Sequence, residues 1–375
     1  MAASLALATR PIFERIPFLD LFRLFQTDKT FYQRRAAHMD YLIRRLETEE
    51  PLRLLRQIAT VPTVDERLRD VCIKRLQWRP TISVGLYHAL ALLDDGSIIG
   101  CGDEDRFDKK PTGQRYVSVI ADSQNMALRG DGQIHRWGRW TRDPNDPLSL
   151  LPNGRLCVSI SYSDYSQGNL IALLDNGEVI LWGPYRYEQK INSRGLRCVG
   201  VSAGWEFSLA LLENGQAVGW GCDRNGQVSG AAAALPAGSR YVAMSAACIF
   251  SVGLLDNGEI ALWGDSEKVE HGMRVNANVR RRGRRFISVS ARGHHGLGLL
   301  DNGEVVGFGN DPCGESSGAA AALTANGGHH YVAIAAGFHI SMGLMNNGVI
   351  VFWGCTNYMK ERVLEAPAGR RFVWT

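Results

Sequence analysis

The chain has 375 residues, 45% of them hydrophobic, with 42 Lys+Arg against 38 Asp+Glu. That length and apolar fraction exclude global disorder and suffice for one large domain plus a small one. Residues 1–80 carry 15 basic against 10 acidic side chains and the remainder 27 against 28. No concentrated basic face of the kind nucleic-acid binders carry emerges from this balance. The run Arg280–Arg285 reads as a solvated loop before a strand. Eight cysteines without a Cys-x-x-Cys pair, and no Asn-x-Ser/Thr sequon, suit a reducing compartment, cytoplasmic or nuclear. The apolar start Met1–Ala8 has no preceding Lys or Arg, unlike a secretory signal. No apolar run reaches the roughly 18 residues of a membrane span.

Residues 1–79 lack glycine turns and repeat their apolar residues at helical spacing. Examples are Phe18, Leu21, Phe22, Leu24 and Phe25, then Met39, Leu42, Ile43 and Leu46, then Leu68, Val71, Cys72 and Leu76. Thr63-x-x-Glu66 forms a capping box before the last group. Three to five short helices are expected. The order Ile16-Pro17, Asp20–Lys29 and Phe31-Tyr32 resembles a degenerate F-box. That resemblance implies helices that dock a cullin-ligase adaptor through Ile16, Pro17, Leu21 and Leu24. A plain helical cap on the following domain is the other reading.

From residue 80 to 375 one phrase recurs seven times: an apolar run, an acidic-Asn/Asp-Gly turn, a second run, then Trp-Gly or a relative. The turn glycines are Gly96, Gly132, Gly177, Gly215, Gly258, Gly303 and Gly348. Each is followed six residues later by Gly102, Gly138, Gly183, Gly221, Gly264, Gly309 or Gly354. Asn-Gly or Asp-Gly between apolar runs predicts a hairpin with a type I′ turn. A third strand precedes each hairpin, as in Tyr241–Ser245 and Phe286–Ser290. Three or four strands at this period make one propeller blade, and a closed ring of blades removes exposed edges. The expected fold is an all-β, seven-bladed antiparallel propeller behind a small helical region. The final Arg370–Thr375 reads as the opening strand of an eighth copy, expected to lie against the first blade near Ile82–Gly85 and latch the ring.

Gly85…His88, Gly204-Trp-Glu-Phe-Ser-Leu-Ala-Leu211, the Trp-Gly steps and Asp223-Arg-Asn-Gly-Gln227 resemble the regulator-of-chromosome-condensation repeat. The second copy departs most, with Asp122-Ser123 in place of the Gly-aromatic step. His295 holds the position of the family histidine, for which a backbone-bonded structural role is expected.

Catalytic signatures are missing. There is no nucleophile elbow, no Gly-Lys-Ser/Thr phosphate loop and no locatable carboxylate pair. The pairs His294-His295 and His329-His330, with His339, show no metal-ligand spacing. Cys222 and Cys355 follow Trp-Gly in different copies, too far apart to share an ion. Catalytic residues, metal and cofactors are therefore expected to be none. The segments after each Trp-Gly leave from one point of the repeat, so they gather on one side of the ring as binding loops. Trp205, Glu206, Arg224 and Asp311 are the candidate residues of that partner-binding face. The near-identical stretches Ser229–Leu235 and Ser317–Leu323 read as neutral low complexity. The expected function is a non-enzymatic protein-interaction scaffold, serving as substrate adaptor of a ubiquitin ligase if the F-box resemblance holds. The alternative implied by the family is guanine-nucleotide exchange on a small GTPase. Neither a membrane nor a nucleic-acid partner is expected.

Overall fold

The computed structural model describes residues 81–103, 112–138, 155–163, 169–182, 195–325, 329–359 and 363–372. The chain divides into two compact units, Met1–Leu76 and Gln77–Thr375, and all described residues belong to the second. The expected N-terminal helices, with Ile16, Pro17, Leu21 and Leu24, lie outside the described residues.

The described residues form seven antiparallel sheets, each built from strands consecutive in the chain. They are β1 (Ile82–Val84), β2 (His88–Leu92) and β3 (Ile98–Gly102); β4 (Tyr116–Ile120), β5 (Gln124–Arg129) and β6 (Ile134–Gly138); and β7 (Cys157–Ser163), β8 (Asn169–Leu174) and β9 (Val179–Trp182). There follow β10 (Cys198–Ala203), β11 (Phe207–Leu212) and β12 (Ala217–Gly221); β13 (Tyr241–Ala246), β14 (Phe250–Leu255) and β15 (Ile260–Gly264); and β16 (Phe286–Arg292), β17 (His295–Leu300) and β18 (Val305–Gly309). The seventh sheet has four strands, β19 (Tyr331–Ala336), β20 (Ile340–Met345), β21 (Val349–Gly354) and β22 (Val363–Glu365). The first strand of every sheet touches the first strand of the next, and β19 returns to touch β1. That closed cycle is the arrangement of a β-propeller.

Every middle strand is buried nearly end to end, as in Phe207–Leu212 and Phe250–Leu255. Both faces of each sheet are therefore covered by neighbouring sheets. The core is a series of inter-sheet clusters, such as Phe207, Leu209, Tyr241, Leu255 and Trp263 between the fourth and fifth sheets.

The hairpin turns differ from the type I′ expectation. In all seven, the turn glycine N–H donates to the carbonyl three residues back, as Gly96 does to Leu93 and Gly348 to Met345. The glycine itself is left-handed, with φ between 77° and 84°. This is a type I turn closed by a left-handed glycine, a three-residue loop. The Asp or Asn before each glycine accepts the N–H two residues on, as Asn257 does from Glu259 at 2.9 Å and Asn302 from Glu304 at 3.2 Å. An Asx side chain thus fastens the turn, which explains why only Asp or Asn stands there.

Asp265–Arg284, expected as a loop, contains the helix Ser266–Arg281. Asp265 caps it by accepting the Lys268 N–H at 3.3 Å. Val275 and Val279 pack it onto the core beneath. The arginine run Arg280–Arg285 thus begins in a helix. Arg280 and Arg282 bond Glu259 and Glu304, which lie beside the turns of the fifth and sixth sheets. No helix among the described residues is long and apolar enough to cross a membrane.

The chain end pairs with the first sheet at Leu93 and Asp94. Phe372 bridges Leu93, and the Asp94 N–H donates to the Arg371 carbonyl at 2.9 Å. These are the pairings that Tyr241 makes with Leu255 and Asp256 with Arg240 inside the fifth sheet. The strand that opens the first sheet is therefore composite, its aromatic start coming from the C-terminus and its remainder from β1. Phe372 is 1% exposed and packs with Ile82, Val84 and Leu93. Truncating it to alanine should cost about 3–5 kcal/mol, read as a lowered midpoint in denaturant unfolding. Val363→Ala, at a 36%-exposed site, should change little.

Candidate interaction face

Trp205 and Glu206 lie where the first strand of the fourth sheet turns into the second, and Arg224 and Asp311 lie in loops that follow third strands. One repeat position at this end is held by Gly85, Asp122, Ser163, Gly204, Ala247, Arg292 and Gly337. Five of the seven are Gly, Ala or Ser, which leaves the mouth of the ring open for two long side chains to meet. Arg292, from the sixth sheet, forms an ion pair with Asp122, from the second. Asp122 is 4% exposed. Burial pulls the Arg292 guanidinium down to about 10, still protonated at neutral pH. Asp122, the most conspicuous departure of the second copy, is thus the acceptor for a cation from the sixth.

Trp205 is linked to this pair through Phe338. Its ring is 5.8 Å from His294 and 5.7 Å from Phe338, and the Arg292 guanidinium sits 5.9 Å over Phe338. Three sheets thereby place aromatic rings together, in contact with a cation from the sixth. Gly204 makes this possible, because a Cβ there would come within 2.7 Å of the Ala247 carbonyl. The Trp205 N–H donates to that carbonyl at 3.3 Å. Trp205, His294 and Phe338 remain half-buried, so the cluster presents ring surface to solvent at this end.

Glu206, also half-buried, accepts the Cys222 N–H on its carbonyl at 2.8 Å, which ties Trp205 to the loop bearing Arg224. Arg224 and Asp311 are both exposed. Asp311 accepts the N–H groups of Ser316 and Ser317 at 2.7 and 3.1 Å. Its carboxylate shapes its own loop. Asp223 does the same for Val228 and Ser229. The structure thus brings Trp205 and Glu206 together with Arg224's loop at one end. Sequence reading missed Asp122, Arg292, His294 and Phe338, whose grouping follows from ring closure alone. The post-Trp-Gly segments 104–111, 139–154 and 184–194 lie outside the described residues.

His295 bonds differently from its expected backbone role. Its Nε2 pairs with the Ser341 Oγ of the next sheet at 2.8 Å. His88 does the same with Asn125 at 2.6 Å, and Asn169, at the equivalent position, with Ser208 at 3.0 Å. The side chain at this repeat position is thus an inter-sheet strut. Burial holds His295 down to about 4.

Cys313 and Cys355 form a disulfide with Cα atoms 5.3 Å apart, at odds with the reducing compartment that the scattered cysteines suggested. Spacing could not reveal it, since the two cysteines are 42 residues apart. Among the described residues, Cys101, Cys157, Cys198, Cys222 and Cys248 are buried or half-buried and form no disulfide.

The family model for the regulator of chromosome condensation (RCC1) repeat matches residues 81–107 and 198–227. The fold is a β-propeller of the RCC1 type. Prp20p from Saccharomyces cerevisiae, crystallised in work that also reports its binding to Gsp1p and histones, has a TM-score of 0.53 and 17% identity, covering 82% of this chain and 89% of that one. The ectodomain of the Physcomitrella patens receptor kinase CR4 has 0.58 and 20%, covering 74% of each chain. That of the Arabidopsis thaliana receptor kinase ACR4 has 0.59 and 16%, covering 77% of this chain and all of that one. No curated protein sequence matches the chain.

A histidine held neutral in the fold but protonated when unfolded weakens the fold as pH falls. The unfolded side takes up its proton below about pH 6.5, the folded side only near pH 4. His295 should therefore contribute a loss of stability across that window. His295→Asn, which places the Asn169 side chain in the equivalent strut, should reduce that slope while folding normally. Melting temperatures from pH 4 to 7 check this. An unchanged slope removes His295 as its source.

Proposed function

We propose that this chain is a non-enzymatic protein-interaction platform, a seven-bladed RCC1-type propeller whose partner docks on the end capped by Trp205. One observation carries the reading. Aromatic side chains from three different sheets are gathered, half-exposed, at a single mouth fixed by the buried Arg292–Asp122 pair. Rigid aromatic surface beside charged loops is what interface hot spots are built from. Glu206 and Arg224 supply polar groups beside it.

Two finer readings rest on less. The degenerate F-box order within residues 12–32 supports a role as substrate adaptor of a ubiquitin ligase. The resemblance to the regulator-of-chromosome-condensation repeat, together with the fold shared with the Gsp1p-binding Prp20p, supports nucleotide exchange on a small GTPase.

Capture from cells on the full-length chain, followed by mass spectrometry, separates these readings. A protein partner should be retained by the native chain. Trp205→Ala should weaken its affinity roughly 30-fold, the equivalent of about 2 kcal/mol at a hot spot. Arg224→Glu, at an exposed loop position, should weaken it without changing the melting temperature. A partner indifferent to both substitutions places binding elsewhere. Release of nucleotide from a captured GTPase would replace the scaffold reading by exchange, and recovery of a cullin adaptor would support the F-box.

A further inference from the structure

The loop that enters the seventh sheet is a near copy of the one that enters the fifth. Asp223-Arg-Asn-Gly-Gln227 corresponds to Asp311-Pro-Cys-Gly-Glu315, and both continue into Ser-Gly-Ala-Ala-Ala-Ala-Leu. The scaffolding bonds are the same. The Asn225 N–H donates to the Gln227 Oε1 at 2.9 Å, and the Cys313 N–H to the Glu315 Oε2 at 2.8 Å. The Gln227 carbonyl accepts Ser251 and the Trp263 indole. The Glu315 carbonyl accepts Ser341 and the Trp353 indole, both at 2.8 Å. A neutral amide therefore suffices to build this loop.

Among the positions that differ in the second copy, four carry a side chain able to bind a metal: Cys313, Glu315, His339 and Cys355, the last in place of Asp265. Asn225 becomes Cys313, and Gln227 becomes Glu315. Ile249, whose carbonyl receives the Asp265 N–H, becomes His339, whose carbonyl receives the Cys355 N–H at 2.7 Å. The four converge. The ligand atoms of Cys313, Glu315 and Cys355 lie within 4.8 Å of one another. His339 Nδ1 is 3.6 Å from the Glu315 Oε1, too long for a hydrogen bond. Glu315 is 2% exposed, and burying a carboxylate where an amide would serve is costly unless the charge is used. His339 is 52% exposed, so the cluster is open to an incoming ion.

We infer that the reduced form of this cluster, Cys313, Glu315, His339 and Cys355, is a tetrahedral site for zinc or a similar borderline-soft divalent cation. Two thiolates, one imidazole nitrogen and one carboxylate are a donor set that such an ion accepts. The chemistry balances in two steps. A thiol reductant donates two electrons to the Cys313–Cys355 disulfide and is itself oxidised, leaving two protein thiols. The divalent ion then displaces one proton from each thiol and takes lone pairs from His339 and Glu315. The disulfide and the metal site are thus alternative occupants of one position. Each fastens the seventh sheet's entry loop to the end of β21, a short distance from Phe338 in the aromatic cluster.

The test uses the full-length chain, reduced with a phosphine and titrated with zinc or cobalt against a chromophoric competitor. The expected result is one ion per chain on the reduced protein, none at this site on the oxidised one, and a tetrahedral cobalt–thiolate spectrum. Cys313→Asn with Glu315→Gln restores the residues of the first copy, so the loop has a template for folding without them. This double variant should lose more than about 100-fold in affinity, since outer-shell losses alone cost about 10–100-fold. His339→Ala should weaken binding and leave the cobalt–thiolate band in place. Failure of the reduced chain to hold the ion, or an affinity unchanged in the double variant, overturns the assignment.

Discussion

The inner strands of a propeller each have an edge with no strand to pair with. In this molecule that edge is closed by a repeated bond. A serine hydroxyl on one inner strand accepts the N–H of an alanine on the next. Ser83 serves Ala121, Ser161 serves Ala203, Ser202 serves Ala246, Ser245 serves Ala291 and Ser290 serves Ala336, each at 2.9 Å. Buried backbone donors must find a partner, and the serine spans the gap that two diverging strands leave. The repeat position held by Arg292 and Asp122 lies two residues beyond this row of bonds, at the end that carries Trp205.

Two of the seven junctions hold Ile120 and Ala335 where the others have serine. Both are secured by apolar packing. Ile120 joins Met126, Ile160, Tyr162 and Leu170 in one cluster. Ala335 lies in the cluster that joins the seventh sheet to the first through Ile340, Met342, Phe352, Ile82, Val84 and Phe372. This second junction is also where the chain returns on itself. The C-terminal phenylalanine therefore has two roles at once, completing a sheet and replacing a missing hydrogen bond. Both follow from the fact that the opening strand of the first sheet is divided between the two ends of the propeller.

The hairpins were legible because their determinants are local. Asx-Gly fixes a turn within a few residues, and the alternating runs beside it have one way to pair. Even so, the turn type was misread, because dipeptide identity does not reveal which carbonyl the glycine N–H will reach. The alanine runs were misread for the opposite reason. Gly230 and Gly318 face Trp263 and Trp353, where a Cβ would come within 3.0 and 2.8 Å. Tyr241 and Tyr331 donate to the Ala231 and Ala319 carbonyls at 2.8 and 2.9 Å. Small side chains are required there by partners from neighbouring sheets, which a local reading takes for low complexity. Arg292 with Asp122, and Cys313 with Cys355, were illegible because each pair joins different repeats, and only the closed ring sets their distance.

Repetition also gives the molecule internal references. Seven copies show what each position needs for folding, so a residue that departs from the other copies can be weighed against them. Arg292 and Asp122 depart at one position where Gly, Ala or Ser serves elsewhere, and they depart with opposite charge. Neither would be tolerated alone at such burial, since an unpaired charge there costs several kcal/mol, so the two form one unit. The same logic separates Asp311 from Glu315. Asp223 shows that an aspartate at the first position is part of the loop's own hydrogen bonding, which leaves Asp311 with a structural reason to be acidic. Gln227 shows that the loop does not require the charge of Glu315. The residues that the needs of folding do not explain therefore lie at two places on one end of the propeller, around Trp205 and in the entry loop of the seventh sheet, with Phe338 and His339 adjacent in the chain between them.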